Sequence, residues 1–223
     1  MLKSSLYTAC QNKNGVEIGG PSQTGQTIYE CSTSMDNVIF SNNTVWSTHT
    51  ETYNYFPNKP GKVIINDGTD INKVSDSSYD FCFASHSLEH IANPLKAVKE
   101  WLRITKPGGH IILILPEKSV CFDHKRSYSL FSTLRAQYEK NVGEDDLSTL
   151  PEILKNHDLP MDPPAGNLEQ FTRRSLDNFN NRCLHHYVYN PALLNEICSF
   201  FDCKFVYTET QGLNIWFIMQ KGE

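Results

Sequence analysis

Residues 79–116 read YDFCFASHSLEHIANPLKAVKEWLRITKPGGHIILILP, and the order of their signals sets the fold class. The first seven form an apolar run short enough for a strand buried on both faces. Asn93 can then cap a helix whose first position suits Pro94. Leu95, Val98, Trp101 and Leu102 recur at helical spacing, which leaves Lys96, Lys99, Glu100 and Arg103 to face water. Pro107-Gly108-Gly109 is expected to end that helix. Residues 110–116, HIILILP, read as a central strand. Strand, crossover helix and strand again make a parallel unit.

Upstream, residues 15–20 (GVEIGG) form a short strand that stops at paired glycines, followed by Pro21 and Ser22. Glycines just past a buried strand let a ligand approach the backbone. The spacing Gly19, Gly20, Gly25 does not fit the dinucleotide fingerprint, and no Gly-Lys-Ser/Thr follows, which excludes a P-loop. Further strands are expected at 35–41 and at 62–67, the latter ending in Asp67-Gly68. Downstream, Asn190-Pro191 opens a helix carrying Leu193, Leu194, Ile197, Cys198 and Phe201. Residues 204–210 and 214–220 then form an antiparallel hairpin around Gly212. Between these regular parts, residues 117–184 are polar and interrupted by Pro151, Pro160, Pro163 and Pro164. So long a connection in a compact domain is usually functional. The expected architecture is an α/β, Rossmann-like, doubly wound and mostly parallel sheet with a C-terminal antiparallel hairpin.

The bulk properties narrow the function classes. A chain of 223 residues suits one domain spanning 1–223. Its formal net charge of -5 argues against a nucleic-acid binder. No apolar run approaches the ~20 residues of a membrane span, and Met1 to Asn14 lack a signal-peptide core. The seven cysteines are scattered and never spaced as C-x-x-C, so neither a disulfide framework nor a zinc site is indicated. Reduced thiols and a cytoplasmic location are the expectation.

Ser78-Tyr79-Asp80-Phe81, the run from Ala84 to His90, Lys106-Pro107-Gly108-Gly109 and the strand after it, together with Glu17-Ile18-Gly19-Gly20, resemble class I S-adenosylmethionine-dependent methyltransferases. The resemblance spans Gly15 to Pro116, and the terminal hairpin suits the same seven-stranded fold. It implies S-adenosylmethionine as cofactor, converted to S-adenosylhomocysteine. It places Glu17, Gly19 and Gly20, with Pro21 and Ser22, against the methionine and ribose parts. Asp36 would take the ribose hydroxyls and Asp67 the adenine amine, with Gly68 beside it. Ser85 and His86 would line the pocket after the fourth strand. Carboxylates accept both ribose hydroxyls, and close backbone approach needs glycine. The Leu88-Glu89-His90 segment is read as a structural opening of the helix.

Residues 117–184 are expected to form the acceptor side or lid, just beyond the carboxyl edge of the sheet where open α/β folds bind ligands. Methyl transfer to a hydroxyl needs an aligned oxygen and a group to remove its proton. Asp123, His124, His185 and His186 are the candidate catalytic residues, since a neutral imidazole oriented by a carboxylate suits that task. Asp123, His124, Glu144, Asp145, Asp146, His185 and His186 also include ligand types for Mg²⁺ or Mn²⁺. Their spacing is not diagnostic, and no metal site is assigned.

Residues 37–40, 44–46, 122–126, 143–146, 162–166 and 181–186 further resemble methyltransferases encoded among glycan-assembly genes, some fused to glycosyltransferases, including in large DNA viruses. That implies O-methylation of a sugar hydroxyl on a glycan or polysaccharide. It also implies a glycosyltransferase domain as partner and, for a viral protein, the host cytoplasm as location. The alternatives are another small-molecule acceptor, or a non-catalytic domain of this fold that binds a glycan or partner.

Overall fold

The computed structural model describes residues 1–45, 48 and 51–223; Trp46, which carries part of the glycan-type resemblance, lies outside them. The strands are β1 (Asn14–Ile18), β2 (Ser34–Ile39), β3 (Thr52–Phe56), β4 (Lys59–Ile65), β5 (Tyr79–Ser85), β6 (Thr105–Pro116), β7 (Lys204–Gln211) and β8 (Asn214–Gln220). They form one sheet in the order β3-β4-β2-β1-β5-β6-β8-β7. The inner strands β4, β2, β1, β5 and β6 run parallel, and β8 and β7 close the far edge antiparallel.

The expected seven strands become eight, because β3 pairs antiparallel with β4 at the opposite edge. Its inward residues are Tyr53 and Tyr55, with Thr52 and Asn54 outward. Pro57, Pro60 and Gly61 make this stretch read as loop, yet proline is tolerated where a strand lies near a sheet edge. The segment 106–109 brings a second difference. The helix after β5, Pro94–Ile104, stops before it, and Thr105 already pairs with Tyr79. The ladder then resumes at Phe81 with His110, so Lys106 to Gly109 form an irregularity inside β6. A Cβ on Gly109 would lie 2.6 Å from the Asp80 carbonyl oxygen, which requires glycine there.

Helices α1 (Leu2–Cys10) and α2 (Gln26–Cys31) cover one face of the sheet, over Phe81, Phe83, Ile112 and Ile114. Helices α3 (Pro94–Ile104), α4 (Phe131–Glu139) and α8 (Pro191–Phe200) cover the other, over Val16, Cys82, Ile111 and Leu113. Strand β6 is therefore apolar on both faces, as its continuous run implies. Helix α3 starts as the sequence indicates: Asn93 Oδ1 accepts from the Lys96 amide at 3.2 Å, with Pro94 next.

Residues 117–190 lie between β6 and α8. They hold α4, α5 (Leu150–Asn156), α6 (Leu168–Leu176) and α7 (Asn178–Asn181). Leu150, Ile153, Ala165, Phe171 and Leu184 give this region a small core of its own. No described helix is long and apolar enough to cross a membrane.

Candidate active site

The carboxyl ends of β1 and β5 meet in a polar knot. Gly19 turns the chain at φ +82, and a Cβ there would fall 2.7 Å from Ser87 Oγ. That hydroxyl donates to the Ile18 carbonyl at 2.8 Å. Ser22 Oγ donates to Ser85 Oγ at 2.8 Å, with Thr24 Oγ1 2.9 Å from the same hydroxyl. The Asn37 side chain holds Gly20 from both sides, accepting its N–H at 3.1 Å and donating to its carbonyl at 2.9 Å. The Gly20–Pro21 bond is cis.

Glu17 does not face this knot. Its carboxyl is fully buried beneath the loop, taking hydrogen bonds from the hydroxyls of Tyr29 and Tyr53. Burial pushes it up to about 7, against the lowering effect of those hydroxyls. Its place is under the glycine turn, where it shapes the loop rather than lining a ligand pocket. Gly20 likewise backs onto Glu17 and Tyr53.

Asp36 is a plainer correction. It sits within β2, three residues before the strand ends at Ile39. Its oxygens accept from the Lys62 amide and the Tyr79 hydroxyl, each at 2.8 Å. The apolar periodicity of residues 35–41 does not locate the end of the strand, which the structure puts at Ile39.

Asp67 lies where expected, just past β4. Its Oδ1 caps the Thr69 amide and hydroxyl at 2.8 Å. Gly68 beside it accepts a hydrogen bond from Trp101 Nε1 at 2.9 Å. Arg182, from the end of α7, reaches across to Asp67 Oδ2 at 3.2 Å and to Glu144 Oε1 at 3.3 Å. Its guanidinium also stands 5.2 Å from the Phe40 ring centroid. A cavity of about 310 Å³ opens here, lined in part by Asp67, Thr69, Asn93, Asp145 and Arg182.

Next to the end of β5 lies a second cluster. Asp123 Oδ2 is 2.6 Å from His185 Nδ1, and its Oδ1 accepts from Arg126 at 2.9 Å. Burial works to raise the Asp123 carboxyl. The His185 hydrogen bond and charge, with Arg126, overcome this and hold it down at about 2. His185 in turn is lowered by burial but raised by Asp123, and the net effect is upward. The His185 ring meets His90 edge-on at 4.6 Å and packs on Phe122 at the same separation. Glu89 lies fully buried beside them, its pKa raised by burial.

The other candidates go elsewhere. His124 Nε2 pairs with Asp158 at 2.6 Å, beside Lys125. His186 turns to the opposite side, as neighbours on extended chain do. It is buried against Asn178 at 3.1 Å, and burial lowers it to about 4. His86 adopts φ +49 and joins Asn214 of β8 at 2.7 Å. The structure therefore brings together two of the separately named candidates, Asp123 and His185, while sequence reasoning read Glu89 and His90 as chiefly structural and assigned no role to Arg126 or Arg182. The signal for Glu89 and His90 was present in the Leu88-Glu89-His90 motif.

A family model described as a methyltransferase domain matches residues 29–113. The chain is 36% identical over 42 residues to the ubiquinone/menaquinone biosynthesis C-methyltransferase UbiE of Bdellovibrio bacteriovorus, and 36% identical over 58 residues to an uncharacterized methyltransferase of Mycobacterium bovis. Those stretches cover 19% and 26% of this chain, and only 18% and 22% of the two relatives. Among solved structures, an S-adenosylmethionine-dependent methyltransferase from Mesorhizobium loti superposes with a TM-score of 0.58 at 8% identity, covering 99% of this chain and 96% of its own. One from Aquifex aeolicus gives 0.52 at 13% identity, covering 98% and 86%.

The fold is that of S-adenosylmethionine-dependent methyltransferases.

These likenesses support S-adenosylmethionine as the cofactor of this methyltransferase fold. The residues at the strand ends fit such a group. A side chain at Gly19 would close the gap between β1 and β5, the hydroxyls of Ser22, Thr24 and Ser85 gather there, and the Asp67 carboxylate stands at the rim beside the cavity. Arg182 is the element that narrows the crevice.

Proposed function

We propose that this chain is an S-adenosylmethionine-dependent methyltransferase that methylates a sugar hydroxyl of a glycan, with the acceptor bound between β5 and the 117–184 insertion. When bound, the cofactor supplies an electrophilic methyl group on a sulfonium. Gly19, Ser22, Ser85 and Asp67 would hold it, while Glu17 and Asn37 keep the glycine turn in shape. The acceptor side must orient a hydroxyl and take its proton.

The observation that carries this reading is the Asp123–His185 pair, set beside Glu89 at the mouth of β5. Asp123 fixes the His185 ring through Nδ1 and leaves Nε2 for chemistry at the acceptor, as an acid–base group or as a ligand. Phe122, partly exposed, adds an aromatic face suited to a sugar ring. A glycosyltransferase domain is the partner such an activity calls for.

Mass spectrometry of candidate glycosides incubated with S-adenosylmethionine tests the reading, with a gain of one methyl group expected. Asp123→Ala should reduce turnover by roughly 100-fold or more, the scale of losing an oriented proton-transfer group, while S-adenosylhomocysteine affinity holds. Loss of that affinity in Asp123→Ala would instead place the pair on the cofactor side.

A second reading rests on Arg182, which spans Asp67 and Phe40 where an adenosine would lie. It is a non-catalytic domain that keeps the fold to bind a glycan or a partner. Calorimetry with S-adenosylhomocysteine separates the two: no heat of binding leaves only this one.

A further inference from the structure

Glu89, at the start of the crossover after β5, presents a chemical problem. Its side chain is fully buried, and neither carboxylate oxygen has a hydrogen-bond partner among the described residues. His86 Nδ1 stands 3.7 Å from Oε1, too far for a hydrogen bond. A buried carboxylate without donors is strongly disfavoured unless a proton or a cation compensates it. The neighbours favour a cation. One ligand atom each from Glu89, His90 and His185 lie within 4.8 Å of one another.

The surroundings of His185 match what a metal-binding imidazole needs. Asp123 takes its Nδ1 at 2.6 Å, which fixes the ring and leaves Nε2 as the donor. Metal-bound histidines almost always have their other nitrogen held by a carboxylate or carbonyl in this way. Asp123 is itself held by buried Arg126, which also donates to the carbonyls of His185 and His186. The Glu89 carbonyl accepts from the His186 amide at 2.8 Å, tying the two segments that supply the donors.

We propose that Glu89, His90 and His185 bind one first-row divalent transition ion, Zn²⁺ in the first instance, beside the end of β5. Two imidazoles and a carboxylate suit such an ion better than Mg²⁺ or Ca²⁺, which prefer oxygen donors throughout. Three protein ligands leave a coordination position open. Glu89 is sealed, while His90 and His185 are partly exposed, so the open position faces the acceptor side. There the ion would bind the acceptor oxygen and lower its proton affinity, with His185 acting as ligand rather than base. The proton would pass to solvent water while the oxygen takes the methyl group and the sulfonium leaves as a neutral thioether. That role rests on the methyltransferase reading above; the binding itself does not.

The test is metal content after chelator treatment, reloading with Zn²⁺ and gel filtration, read by plasma mass spectrometry on the whole chain. One equivalent is expected, with a rise in Tm on loading. Glu89→Gln and His185→Asn should each weaken binding at least 100-fold, and Asp123→Asn by roughly 10–100-fold. His124→Ala, whose ring belongs to Asp158, should bind as the wild type does. No saturable binding by the wild type, or binding indifferent to both Glu89→Gln and His185→Asn, overturns the proposal. Since wild-type loading is itself decisive, a variant that fails to fold does not remove the test. S-adenosylhomocysteine calorimetry on the same samples keeps the two claims apart. Metal-free protein that binds the nucleoside refutes the ion alone, whereas metal-loaded protein that ignores it refutes the methyltransferase.

Discussion

Glu17 shows how a single side chain can set a loop from beneath. Its carboxyl is sealed under Gly20 and held up to about 7 from an ordinary 4.5. For an acid raised on folding, the stabilising contribution is complete below about pH 4.5 and is lost as pH rises through about 7. The ionised form then costs roughly 3 kcal/mol. Glu17→Gln keeps an acceptor for Tyr29 and Tyr53 without that penalty. Wild-type Tm, followed by circular dichroism, should fall by roughly 5–10 °C relative to Glu17→Gln between pH ~5 and ~8. Parallel Tm curves for the two proteins would mean that Glu17 titrates normally. Asp67 plays the opposite part, partly exposed at the rim. Asp67→Ala should weaken S-adenosylhomocysteine binding by roughly 10-fold or more, the loss of one charge-assisted hydrogen bond, with the melting curve little changed. Equal affinity by calorimetry would remove Asp67 from the ligand site.

At the scale of elements, legibility followed the physical signal. Strands β1, β5, β6 and the β7–β8 hairpin were readable because burial on both faces, or turn glycines, leave strong local patterns. Helix α3 was readable from its cap and its stripe. Helix α1 was not, since only Leu6, Ala9 and Cys10 are buried on it. The β3 strand was hidden by the prolines around it. Asp36 falls inside β2 rather than near its end because apolar periodicity marks that a strand exists more firmly than where it stops. The insertion could be recognised as polar and chemically loaded, but its pairings join residues about 60 positions apart, as Asp123 does with His185. No periodicity reports that. Arg126 fastens these segments: it is 3% exposed and bonds Asp123, Glu152 and two backbone carbonyls. Arg126→Ala strips Asp123 of a buried partner, a change that typically costs about 3–5 kcal/mol. Urea unfolding should show that loss, and a midpoint near that of the wild type would mean the segment is held by its apolar core alone.

The whole molecule places its two candidate ligand regions on one edge of the sheet and then bridges them with its own chain. Asp67 belongs to the sheet and Glu144 to the insertion, and Arg182 pairs with both while resting near Phe40 and Phe179. A ligand that engages Asp67 must therefore share or displace the guanidinium, and whatever happens there is felt by the α7 end of the insertion. Coupling of this kind is a difference in free energy between two arrangements, and it is measurable as protection from exchange. Hydrogen–deuterium exchange with and without S-adenosylhomocysteine should show amides slowed together in residues 66–70 and 178–186. In Arg182→Ala the protection of 66–70 should remain, while that of 178–186 falls to the unliganded level. Protection confined to 66–70 in the wild type would mean that the insertion does not sense the cofactor, and acceptor binding would then have to be organised without it.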